Sequence, residues 1–102
     1  MRSENDELRT KLNNETARVR WHELQRHFAM GAVVTVDASE DLIEVAISMA
    51  SDDTARIEHL LRDDRIRRTN ADEANEWTRV DQELWCVVVA PWVLVQAVGA
   101  RA

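Results

Sequence analysis

LWCVVVAPWVLVQAV, residues 84–98, is the most hydrophobic stretch of the chain, and its reading decides the fold. It holds fifteen residues with Pro91 in the middle, whereas a membrane-spanning helix needs roughly 20 apolar residues. Its valine-rich composition suits strands. With residues 84–90 as a strand, Leu84, Cys86 and Val88 point one way and Trp85, Val87 and Val89 the other, so both faces are apolar. A half-solvated strand alternates polar with apolar residues, whereas one apolar on both sides has to be covered on both. Pro91 has no N–H to give a ladder, which predicts a bulge, a bend or a split into two short strands at that point.

Working outward, 102 residues make a single domain, with N-terminal helices over 1–30 and an α/β portion over 31–102 that ends in the apolar strand. Ser3 is placed to cap a helix with Glu4, Asp6 and Glu7 in its first turn, and Leu8, Leu12, Thr16 and Val19 continue one face. The pattern breaks near Arg20. Trp21, Leu24 and Phe28 then form an amphipathic stripe that stops at Gly31, a candidate C-terminal cap. GAVVTVD reads as a strand. Ser39, followed by Glu40 and Asp41, opens a helix whose stripes Leu42, Val45, Ala46, Met49 and Ile43, Ile47, Ala50 predict the most buried helix of the fold. Asp52 or Asp53 starts a helix carrying Ile57, Leu60 and Leu61; RIRRT follows as a short edge strand. Asn70 and Glu73 form a capping box ahead of Ala74 and Trp77.

The expected architecture is therefore α+β, with a small sheet of about three strands packed with four or five helices. Helices in so short a chain are expected to cover one sheet face well and the other only in part. A second copy of the chain is the natural cover for the remainder, so a homodimer is expected, with the C-terminal strand or its flanking tryptophans at the interface.

Composition narrows the function classes. Nineteen acids against thirteen bases leave a net charge of -6, which repels a phosphate backbone at long range and disfavours nucleic acid. Arg62, Arg65, Arg67 and Arg68 cluster, yet Asp63 and Asp64 lie among them, so compensated surface charge is the expectation. A single cysteine, Cys86, forms no internal disulfide and points to the cytoplasm. The charged N-terminus MRSENDELRTKL has no apolar core of a secretory signal.

WHELQRH, residues 21–27, resembles the HExxH pattern of zinc proteases with its second histidine one place late. Two histidines four apart on a helix reach one ion, but His22 and His27, five apart, point roughly 140° from each other. His59 stands alone on another segment. No metal and no cofactor is expected. Asp52 and Asp53 suit an acid/base or Mg²⁺ pair but equally suit a helix cap. Cys86 in an apolar run reads as an inert small hydrophobe. Trp21, Trp77, Trp85 and Trp92 serve a core, an interface or a pocket wall. Gln96, the one strong polar interruption of the terminal run, either pairs with strand-edge backbone or projects into a pocket.

ETARVRWHELQRHFAMGAV, DLIEVAISMASDD and LWCVVVAPWVLVQ together resemble a family of short bacterial proteins classed as a domain of unknown function, over nearly the whole chain. Where that family's pattern has a Trp in the fourth helix and a Gly just after it, this chain has Leu60 and Asp64. The resemblance implies a small intracellular protein without an assigned activity. It marks Trp21, Glu23, Asp52, Asp53, Trp85, Pro91, Trp92 and Gln96 as a shared ligand or interaction surface. The functional expectation is a non-enzymatic interaction or regulatory module acting as a homodimer with an unknown protein partner. The alternative is a small-molecule binder or minor enzyme with a tryptophan-lined pocket and Asp52, Asp53, Glu23 and Gln96 as its polar contacts.

Overall fold

The computed structural model describes residues 4–99. They form α1 (Glu4–Glu15), β1 (Ala17–Arg20), a 3-10 turn (Trp21–Leu24), α2 (Gln25–Ala29), β2 (Val33–Val36), α3 (Leu42–Ala50), α4 (Thr54–Arg62), β3 (Ile66–Arg68), α5 (Ala71–Val80), β4 (Glu83–Val89) and β5 (Trp92–Ala97). The fold is α+β. One five-stranded sheet has the order β1-β4-β5-β2-β3, antiparallel except between β5 and β2.

Two strands more than expected arise for two reasons. The apolar run splits at Ala90–Pro91, a cis peptide in the hairpin turn, and Val89 pairs with Trp92 across it. Residues 17–20, expected to extend the first helix, instead pair with Glu83–Cys86 as β1, so the first thirty residues are not purely helical. Arg-Val-Arg has no strong preference of its own, and the unpaired edge of β4 decides its conformation. Ser3, the expected cap of α1, lies outside the described residues.

Local signals elsewhere behave as their chemistry requires. Gly31 sits at φ +73 just past α2, and its N–H bonds to the Phe28 carbonyl at 2.9 Å, the left-handed helix ending that glycine permits. Asn70 and Glu73 form a capping box on α5. The cap of α3 is Asp41, which accepts from the Ile43 and Glu44 N–H groups; Ser39, expected in that role, bonds to Asp37 instead. Asp53 caps α4 through the Arg56 N–H.

The pleat of β4 and β5 sends side chains into two cores. On one face Val87 and Leu94, with Val34, Val36 and Ile66, pack under α1, α3 and α4. On the other, Leu84, Cys86, Val93 and Val95 pack with Val33 under Trp21, Leu24, Ala74 and Trp77. Most of both faces is thus sheltered within one copy of the chain, more than expected for the second face, while Trp85 and Val88 of the same run stay exposed. Bulk explains the difference. Trp21 meets Trp77 edge-on at 5.3 Å and Phe28 at 5.4 Å, and each indole covers about 150–250 Å², so a 3-10 turn and two short helices suffice as a second layer. The indole N–H of Trp21 donates to Thr78 Oγ1 at 2.9 Å, leaving no polar cost to its burial. α3 buries five residues, Leu42, Val45, Ala46, Ile47 and Ser48, and is the most enclosed of the helices. Between β2 and β3, buried Thr35 and Thr69 share a 2.8 Å hydrogen bond beside the bidentate Arg67–Glu73 pair.

Candidate functional site

The cover on the α1/α3 face stops short of one cross-strand pair, Trp85 and Gln96. α1 ends at Glu15 because the chain turns under the sheet edge to form β1. The loop 37–41 leads from β2 into α3 and faces Asn13 and Thr16 at the end of α1. Between them lies a solvent-open cleft of about 560 Å³ whose lining includes Trp85, Gln96, Asn13, Thr16, Glu40 and Asp41. Trp85 remains 37% exposed there.

Gln96 is held rather than free. Its Nε2 donates to the carbonyls of Asp37 and Glu40, each at 2.8 Å. Only the nitrogen end of the amide can face two carbonyl oxygens, so Oε1 has to point the other way. No donor reaches Oε1 among the described residues, and it is not a buried orphan atom, so it is an acceptor open to solvent. Beside it, the Arg18 guanidinium lies 4.7 Å from the centre of the Trp85 ring, an electrostatic contact with the indole face. Arg18 also stands 3.8 Å from Glu83.

The loop that frames the cleft is braced by charge. Arg65 Nη1 donates to Ser39 Oγ at 2.6 Å and to Glu40 Oε2 at 3.2 Å, while Ser39 donates its hydroxyl and N–H to Asp37. These Ser39 bonds, helped by the positive charges of Arg65 and Arg67, hold the Asp37 carboxyl below its ordinary range. Asp41 Oδ1 is occupied by the α3 cap. Both charged residues on the lining, Glu40 and Asp41, are acidic. What such an arrangement can do is bind: it joins an aromatic surface, an oriented carbonyl oxygen and a negative rim.

Of the eight residues marked in the sequence, the structure brings only Trp85 and Gln96 together in this cleft. Trp21 is almost fully buried in the second core layer. Glu23 accepts from the Arg20 N–H at 2.7 Å and closes the 3-10 turn. Asp53 is a helix cap, and Asp52 adopts φ 55 in the preceding turn, lining a separate hollow of about 550 Å³ with Leu8, Met49 and Val88. Pro91 forms the hairpin turn, and Trp92 lies under the Arg68 guanidinium at 5.1 Å. The expected set of polar contacts Asp52, Asp53, Glu23 and Gln96 therefore does not converge, and one tryptophan, not several, walls the cleft. Asn13, Thr16 and Asp41 escaped sequence reasoning because nothing local distinguishes them from solvated helix ends.

The remaining candidate residues have these surroundings. His22 Nδ1 lies 2.9 Å from Asp81, and its N–H and ring hold the Asp81 carboxyl below the ordinary range. His59 pairs with Asp63 at 3.2 Å. Among the described residues no group of three His, Cys, Asp or Glu side chains is arranged to hold a metal. Burial pushes the Cys86 thiol up, away from the reactive thiolate. Two of the four clustered arginines are compensated, Arg65 by Glu40 and Arg67 by Glu73 and Asp64, while Arg68 lies over Trp92. Among the described residues no helix is long and apolar enough to cross a membrane.

Comparison with known proteins supports the fold. Residues 7–97 match the model of a family described as a protein of unknown function, DUF2288. No curated protein matches the chain. The solution NMR structure of PA1075 from Pseudomonas aeruginosa is similar, with 40% sequence identity, a TM-score of 0.83, and coverage of 100% of this chain and 94% of that one. With the family match running from the first helix through the last strand, the chain belongs to the DUF2288 family.

Proposed function

We propose that the protein is a binding module whose working site is the Trp85–Gln96 cleft and whose ligand is a small molecule. One observation carries this reading: the Gln96 amide is locked onto two carbonyls so that its oxygen is presented beside a partly exposed indole. A cleft of about 560 Å³ lies within the usual range for small-ligand sites, which pair apolar wall with a few fixed polar groups. The reading is non-catalytic because the hydroxyl of Ser39 and the carboxylates of Asp37 and Glu40 are already engaged in bracing the loop. A bacterial, cytoplasmic setting belongs to the same reading, in keeping with the single buried cysteine. The test is an amide and indole NMR screen of the ¹⁵N-labelled chain against a metabolite panel. Saturable shifts of the Trp85 indole and Gln96 side-chain signals are expected. A panel that moves neither signal refutes the reading.

Self-association is a second reading, favoured by Val88. β1 pairs only as far as Cys86, so Val87–Val89 extend past the end of that strand, and Val88 is 54% exposed. An apolar strand end without a strand partner on one side is a template for pairing with another copy. Light scattering is expected to show a dimer that Val88→Lys dissociates. A monomer at all concentrations up to the millimolar range refutes this second reading and leaves the cleft untouched.

A further inference from the structure

We infer that the ligand of the cleft is a small organic cation with N–H donors, a guanidinium or alkylammonium compound, its body on Trp85, an N–H on Gln96 Oε1 and its charge toward Asp41. The inference rests on reading the cleft as a ligand site and adds the chemistry that selects the ligand.

Three features of the cleft point the same way. Its charged lining residues, Glu40 and Asp41, are both acidic, and Glu40 already has Arg65 at 3.2 Å and Arg56 at 3.8 Å. Asp41 spends Oδ1 on the α3 cap and feels Arg9, itself paired with Glu44, only through space, so its other oxygen is the one to meet an incoming charge. The fixed polar atom, Gln96 Oε1, accepts and cannot donate. Finally, the π system of an indole attracts cations; Arg18 already lies over Trp85, so the ligand is assigned to the part of the ring that Arg18 leaves exposed. Arg18 over Trp85 and Arg68 over Trp92 show guanidinium groups resting on indoles at 4.7 and 5.1 Å in this same chain. An anion would meet the opposite. The first N–H groups of α3, normally an anion site, are occupied by Asp41 itself, and Asp37, Glu40 and Asp41 stand around them.

The test compares two probes of one shape on the full chain: n-butylguanidinium, charged, and n-butylurea, neutral. Both are titrated while the Trp85 indole and Gln96 amide signals are followed, with citrate as an anionic control. The cation is expected to give a saturable shift and to bind at least about five-fold more tightly than the urea, as a surface-exposed cation–π contact plus one carboxylate implies. Asp41→Asn keeps the α3 cap, since asparagine caps as well as aspartate, and is expected to weaken the cation about three-fold without changing the melting temperature or the urea affinity. Equal binding of cation and urea, preferential binding of citrate, or an unchanged affinity in Asp41→Asn overturns the charge assignment while the cleft remains a ligand site. Silence of both signals toward all three probes, together with silence in the metabolite screen, overturns the site itself.

Discussion

Replacing Gln96 with methionine keeps the length and approximate volume of the side chain and deletes both amide N–H donors. The two bonds lost, to the carbonyls of Asp37 and Glu40 at 2.8 Å, are not equivalent. The Asp37 carbonyl also accepts from the Glu40 N–H at 3.0 Å and keeps that partner, so about 1 kcal/mol goes with the deleted bond. The Glu40 carbonyl has no second donor among the described residues. Because the cleft is open, water reaches it, which puts the cost of orphaning it near the lower end, again about 1 kcal/mol. The sum is about 2 kcal/mol. With a urea m-value of roughly 1.3 kcal/mol/M, the midpoint falls by about 1.5 M at unchanged slope. Hydrogen exchange at residues 39–42 is expected to accelerate at the same time, as the loop loses its anchor to β5. A midpoint shift below about 0.4 M, or roughly 0.5 kcal/mol, would refute the reasoning. Water would then be replacing the amide, and the fixed orientation of Oε1 would go with it.

Asp53→Ala is expected to cost about 1 kcal/mol by denaturant titration and Asp53→Asn almost nothing, because the carboxylate serves the α4 cap; equal losses in both would assign it a further role. Trp77→Ala is expected to cost about 3–5 kcal/mol and to increase dye binding to exposed apolar surface, since it uncovers Trp21 and the second face of the sheet; a loss under about 1.5 kcal/mol would mean that α5 contributes little to that layer. Asp37 is held below the usual carboxylate range by Ser39, so its contribution to stability is complete above its unfolded-state value of about 3.9 and is lost as pH falls through the depressed folded value. Melting temperature followed from pH 6 downward is expected to fall less steeply below about pH 4 in Asp37→Asn than in the parent chain; parallel curves would contradict this assignment.

Local chemistry was legible wherever a residue's neighbours in sequence are also its partners in space. The Asn70–Glu73 capping box, the Gly31 helix ending, the short arginine-rich strand at 66–68 and the two-sided apolar run all follow from interactions within a few residues. Long-range pairing hid the rest. β1 exists because β4 offers it an edge, and Ala17–Arg20 carry no signal of that edge. The second sheet face is covered over most of its area because Trp21 and Trp77, fifty-six positions apart in sequence, meet edge-on across it. The same holds for the cleft. Its chemistry depends on Gln96 reaching back to carbonyls at 37 and 40 and on Trp85 being left bare where α1 ends. Spacing within one segment reports which face a side chain takes, but a site made by four segments is decided by the packing that brings them together.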